Sequence, residues 1–160
     1  MKYPIIEIGL NLSTVGDYLF SQCRFVFQSV NVGDYEQIVL AKNLLLSLED
    51  LEARLDNVCA EECFAEEIND RLDLVIKHDI RNCCLPLGIE SFDGDKAAFF
   101  KLLGEHHIAI RPWGSSLFIE KLDPLQYRDT INNNISYLRE RITANKGGGR
   151  LQESDSHQGR

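Results

Sequence analysis

A chain of 160 residues, 44% apolar and 26% charged, suffices for one domain with its own core and is too apolar for a disordered one. It contains no apolar run near the roughly 18–20 residues of a membrane-spanning helix. Its net charge of −8 argues against direct binding of nucleic acid, which needs a basic footprint. The imbalance is local. Residues 49–79 hold eleven acids against three bases (Arg54, Arg71 and Lys77), whereas the remaining residues balance at fourteen of each sign. A basic protein surface is the better electrostatic match for such a segment, and a plain solvated face is the competing account.

In chain order, residues 4–10 read as a first strand and "STVGD" as a turn, with Gly16 available for positive φ. Residues 17–28 alternate. Leu19, Ser21, Cys23, Phe25 and Phe27 share one face, the period of a half-buried strand, and "QSVNV" returns as a short one. Gly33 offers a corner, and Asp34 followed by Gln37 has capping-box spacing. That pattern predicts a helix from there to about Leu55, with Ala41, Leu44, Leu48, Leu51 and Leu55 as its inward stripe. A second amphipathic helix is expected over 61–78 from Phe64, Ile68, Leu72 and Val75. Glu61, Glu62, Glu66, Glu67, Asp70 and Asp73 cover much of its remaining surface.

Cys83, Leu85, Leu87 and Ile89 recur at period two, but Pro86 restricts that segment to an edge or irregular strand. Asp93-Gly94 is a hairpin signal. "KAAFFKLL" suits either a strand or a helix, and its place after that turn favours a strand. "GEHH" reads as a turn, and "IAIRPW" and "SSLFIEKL" as strands. Asp123-Pro124 opens a last helix with the stripe Tyr127, Ile131, Ile135, Leu138 and Ile142, ended by Asn145 and Gly147. Residues 147–160 read as a polar, flexible tail outside the fold. The expected fold is therefore one α+β domain over residues 1–146. It has a mostly antiparallel sheet of about five or more strands and two or three packed helices.

Chemical signatures are sparse. There is no P-loop, G-x-G-x-x-G, G-x-S-x-G or H-E-x-x-H. Cys59 and Cys63 have zinc-ligand spacing, but adjacent Cys83 and Cys84 diverge if extended, as do His106 and His107. Asp93-Gly94-Asp95 lacks the other ligands of a calcium loop. The N-terminal "MKYPIIEIGLN" lacks the long apolar core of a signal peptide, which points to the cytoplasm and to reduced thiols. No catalytic residue, metal or cofactor is expected.

The stretch "GDYLFSQCRFVFQSVNVGDYEQIVLAKNLLLSLEDL" resembles a class of bacterial immunity proteins, and "SFDGDKAAFFKLLGEHHIAIRP" fits the same plan. These are the cognate antitoxins of polymorphic toxin and contact-dependent growth-inhibition systems. The similarity covers about the first 55 residues well and the rest loosely. It implies a non-enzymatic protein that binds one toxin domain, often a nuclease, and covers its active site. The resemblance carries over no site residue, so the partner-binding set comes from charge alone: Glu61, Glu62, Glu66, Glu67, Asp70 and Asp73. The expected partner is a basic toxin domain, with no direct contact to nucleic acid or membrane. An enzyme with a site built from non-local residues would instead show a deep pocket of perturbed titratable groups. An adaptor domain would show an exposed apolar patch.

Overall fold

Among the described residues, eight strands divide between two sheets, and three α-helices pack against them. The computed structural model describes residues 6–58 and 60–158, with side chains through Lys146. The fold class is α+β, as expected, although the strands form two four-stranded sheets in place of one.

The first sheet contains β1 (Glu7–Val15), β2 (Tyr18–Val26), β3 (Asn31–Val32) and β4 (Val39–Leu40), all antiparallel to their partners. The β1–β2 turn is shorter than predicted. Val15 pairs with Tyr18, so "STV" belongs to the strand and only Gly16 and Asp17 turn, with Gly16 at φ 61°. The alternation in β2 holds: Ser21, Cys23, Phe25 and Phe27 are buried.

Helix α1 (Ala41–Leu55) buries the whole predicted stripe, Ala41, Leu44, Leu48, Leu51 and Leu55. Its predicted cap is wrong. The Asp34 carboxylate accepts from the Glu36 N–H at 3.0 Å, and its carbonyl accepts from the Gln37 N–H at 3.1 Å. These bonds close an Asx turn, for which the same local spacing serves equally well. The chain then forms β4 against Phe20 and Ser21 before the helix begins.

The second sheet runs β5 (Glu61–Glu62), β6 (Lys96–Leu102), β7 (Glu105–Arg111) and β8 (Phe118–Lys121). Only the β5–β6 pair is parallel. "KAAFFKLL" is a strand, with Ala97–Phe100 fully inside. The turn to β7 is Leu103–Gly104, so both histidines of "GEHH" lie in the strand. Helix α2 (Ile68–His78) is shorter than the predicted 61–78. Glu61 and Glu62 pair with β6, the Cys63 N–H donates to the Lys101 carbonyl at 3.1 Å, and a 3-10 turn spans Ala65–Glu67. Phe64 consequently sits on extended backbone, outside the helical stripe of Ile68, Leu72 and Ile76.

Between α2 and β6 the chain is irregular but deeply placed, with Cys83–Pro86 buried. Its period-two pattern has a physical counterpart. The Arg54 guanidinium donates to the carbonyls of Arg81 (3.2 Å), Cys83 and Leu85 (3.1 Å), and the Ser47 hydroxyl to that of Leu87 (2.7 Å). Alternate carbonyls thus face α1, which stands in for a neighbouring strand. On the other side, the Cys84 N–H donates to the Ala97 carbonyl at 2.7 Å, and the Tyr127 hydroxyl donates to the Cys84 carbonyl. The Asp93-Gly94 turn joins a 3-10 turn (Glu90–Phe92) to β6, so the predicted hairpin there is absent. Gly94 is required for another reason: φ is 81°, and a Cβ would meet the Trp113 ring at 2.5 Å.

Helix α3 (Pro124–Gln158) starts as predicted, the Asp123 carboxylate accepting from the Leu125 N–H at 2.9 Å. Tyr127, Ile131, Ile135 and Leu138 are buried. The predicted stop at Asn145 and Gly147 is absent. The backbone stays helical through three glycines, since an established helix propagates at a cost of about 1 kcal/mol per Gly, and no proline follows. Tyr127 joins the two sheets. Its ring lies 6.2 Å from those of Phe25 and Phe27 and 5.6 Å from that of Phe99.

Two outcomes follow for stability. In urea, Leu48→Ala is expected to cost about 2–5 kcal/mol by leaving a cavity. Tyr127→Phe is expected to cost about 1–3 kcal/mol by stranding the Cys84 carbonyl. Burial pushes the Cys23 and Cys84 thiols up from 9.0 to about 12, and the Tyr127 hydroxyl well above 10. The folded chain therefore keeps protons that the unfolded chain loses above pH 9. Stability from these groups should be fully present below pH 9 and fall as the pH rises toward 12, with a shallower fall in Tyr127→Phe. An equal slope in that variant would show the hydroxyl to be uncoupled from folding.

Candidate functional site

The acidic window folds into two groups with different fates. In α1 and at its C-cap Asp56, every carboxylate has a cationic partner. Glu49 pairs with Arg139 (2.8 Å), Asp50 with Arg54 (2.9 Å), Glu52 with Arg128 (2.7 Å), and Asp56 also with Arg128. Three of these pairs tie α1 to α3. They are internal to the fold.

The six carboxylates expected to bind a partner follow α1 in the chain, and all are exposed. Edge strand β5 carries Glu61 and Glu62, the 3-10 turn carries Glu66 and Glu67, and α2 carries Asp70 and Asp73. Three of the six are engaged. Glu61 lies 4.0 Å from the Arg71 guanidinium. Glu62 accepts from the Gly104 N–H at 2.9 Å and so fastens the β6–β7 turn to β5. Asp73 accepts from Lys96 (2.9 Å) and Arg111, whose hydrogen bonds hold its carboxyl below the usual carboxylate range. Arg111 also donates to the Asn69 side chain at 2.8 Å, so Asp73 helps pin α2 to the second sheet. Glu66, Glu67 and Asp70 have no ion-pair or hydrogen-bond partner among the described side chains. They form an unmatched acidic ridge on the 3-10 turn and the first turn of α2.

The thiol of Cys63 registers this ridge. It is raised first by burial, then by Glu67, with Glu61 and Glu62 adding and Arg71 opposing. Cys23, Cys83 and Cys84 are buried in the core, and Cys59 lies outside the described residues. No group of three or more His, Cys, Asp or Glu among the described residues is arranged to hold a metal ion. Shallow hollows lie off the ridge, one of them reaching the β6–β7 turn at Gly104. One of about 290 Å³ includes Glu105, His106, Lys121 and Asp123, and one of about 200 Å³ borders Pro86 and Asp95. Asp95 is raised by burial and accepts from the Trp113 N–H at 2.8 Å, a bond that closes the loop after β7.

Two apolar side chains that the sequence did not single out for binding stand exposed where β5 and β6 end. Phe64 is 70% exposed and Leu103 is 95% exposed. The parallel register pairs Glu61 with Phe100 and Glu62 with Lys101. Because the two strands run parallel, Phe64 and Leu103, which follow their C-terminal ends, lie at the same end of the second sheet. Leu103 and Gly104 turn between the paired Leu102 and Glu105 with φ of 52° and 79°, the signs a type I′ turn requires. Asn, Asp or Gly normally fills the first position. A leucine there costs roughly 1 kcal/mol or more in backbone strain. A leucine before glycine in a two-residue loop was the available signal, but it is visible only once the strand boundaries are known.

Comparison of the chain with protein-family models, with curated proteins and with solved structures finds no match. No helix among the described residues is long and apolar enough to cross a membrane.

Native-state labelling with a disulfide reagent followed by peptide mapping should modify Cys63 well before Cys23, Cys83 and Cys84. At pH 8, Glu67→Gln should speed modification of Cys63 by lowering its pKa. An unchanged rate would mean that the ridge exerts no field at the thiol.

Proposed function

We propose that this chain is an immunity protein that binds a basic toxin domain and neutralises it without chemistry of its own. The observation that carries this reading is the division of charge. Each acid of α1 is matched to an arginine, while Glu66, Glu67 and Asp70 are unmatched within five residues of chain. Like charges held this close repel in the free protein, and lysines or arginines on a partner would relieve that repulsion. The same field would accelerate encounter. Carboxylates spaced along a ridge also suit the arginines and lysines that hold phosphates in a nuclease cleft. The aromatic strand and leucine-rich helix of residues 16–51 add the resemblance to immunity proteins on the sequence side.

The test is co-expression with basic bacterial toxin domains, any encoded beside this gene first. Growth should be restored and the two chains should co-purify. Reversing Glu66, Glu67 and Asp70 to Lys together should slow association and flatten its salt dependence. A triple variant with the wild-type association rate and salt response would return the ridge to plain solvation.

A further inference from the structure

The acidic ridge by itself explains attraction but not retention, because rim charges act mainly on association rate. Tight complexes are held by a few apolar or aromatic anchors at the centre of the interface, enclosed by polar groups that exclude water. Phe64 and Leu103 supply that element here. Both are large, both are exposed, and the β5–β6 register brings them to one end of the second sheet. Glu66 and Glu67 follow Phe64 within three residues, and the Glu62 carboxylate holds the Gly104 N–H beside Leu103. An adaptor surface would expose apolar groups in place of acids, whereas this face sets the two side by side.

The backbone gives a second reason. A leucine at φ 52° is disfavoured, and burial gives no compensation, since the side chain reaches into solvent. Asn-Gly would make the more stable turn. The free protein therefore carries strain and an exposed apolar group at the same residue, a combination that is relieved in part once the side chain is enclosed.

We propose that Phe64 and Leu103 form the apolar anchor of the interface, and that the partner presents an apolar hollow bordered by lysine and arginine. Charge complementarity selects this occupant: Glu66 and Glu67 follow Phe64 in the chain, and with Asp70 they lack ion-pair partners among the described side chains. This inference rests on the reading of the ridge as a binding face, and the experiment separates the two.

Binding kinetics are measured with a basic toxin domain that the chain neutralises in co-expression as the probe, at low and high salt. The proteins compared are the wild type, Leu103→Asn, Phe64→Ala and the triple Lys variant. Leu103→Asn and Phe64→Ala should each weaken binding roughly tenfold or more through faster dissociation, with the salt response kept. Leu103→Asn should at the same time raise the thermal midpoint of the free protein by about 2–4 °C. Such a loss of binding cannot be blamed on misfolding. If both apolar variants bind like the wild type while the triple variant fails, the anchor is overturned and the acidic face stands. If the triple variant also binds normally, or the wild type does not bind, the reading of the face falls and the anchor with it. A lowered midpoint for Leu103→Asn would overturn the claim that the turn is strained.

Discussion

Arg54 is the side chain on which the arrangement of the two sheets depends. The chain between α2 and β6 crosses the interior without a strand partner, and buried carbonyls left unpaired would cost about 1–3 kcal/mol each. One guanidinium, 5% exposed at its side chain, accepts this burden for Arg81, Cys83 and Leu85 while keeping its ion pair with Asp50. Planar donors in a fixed fork suit the task, and a lysine could not serve three carbonyls in the same way. Ser47 extends the set to Leu87, and Tyr127 serves Cys84 from the opposite side. Because this segment leads into β6, its placement decides where β6 ends, and so where the Leu103–Gly104 turn stands relative to β5.

The charges follow from the same packing. With α1 fixed against the interior, its outer acids meet Arg128 and Arg139 of α3. Exposed ion pairs of this kind add little stability singly. Their larger effect is on the field: they neutralise one part of the acidic window and leave the surplus on the ridge beside β5. Asp73 belongs structurally with the first group, because Lys96 and Arg111 use it to seat α2. A surface whose charge is concentrated near two exposed apolar groups combines long-range attraction with short-range retention.

Much of the fold was legible from periodicity. The alternation of β2, the leucine stripe of α1, the strand at "KAAFFKLL" and the Pro124 start of α3 each span enough residues to have a period. Strands of two residues have none: β3 is legible only as the return of "QSVNV" after β2, and β4 and β5 are not legible, so the division into two sheets was hidden. Asp34 misled because an Asx turn and a capping box share their local spacing. Phe64 misled because its spacing to Ile68 is helical while its backbone is extended. Arg54 could be read only as one of three bases among acids, since its carbonyl partners lie 27 to 31 residues away. Composition located the six carboxylates and their exposure. Which of them are engaged depends on Lys96, Arg111 and Gly104, brought near by tertiary structure alone.

On the proposed reading one face, made by the ridge and the tip of the β6–β7 hairpin, meets the partner. Amide hydrogen exchange of the chain alone and in complex with a basic toxin domain that it neutralises in co-expression is the decisive measurement. Binding at this face gives new protection over residues 62–71 and at the Leu103–Gly104 turn, with α3 and the β1–β2 turn unchanged. Protection confined to the β1–β2 turn or to the hollow beside His106 and Lys121, with residues 62–71 exchanging as in the free chain, would contradict it.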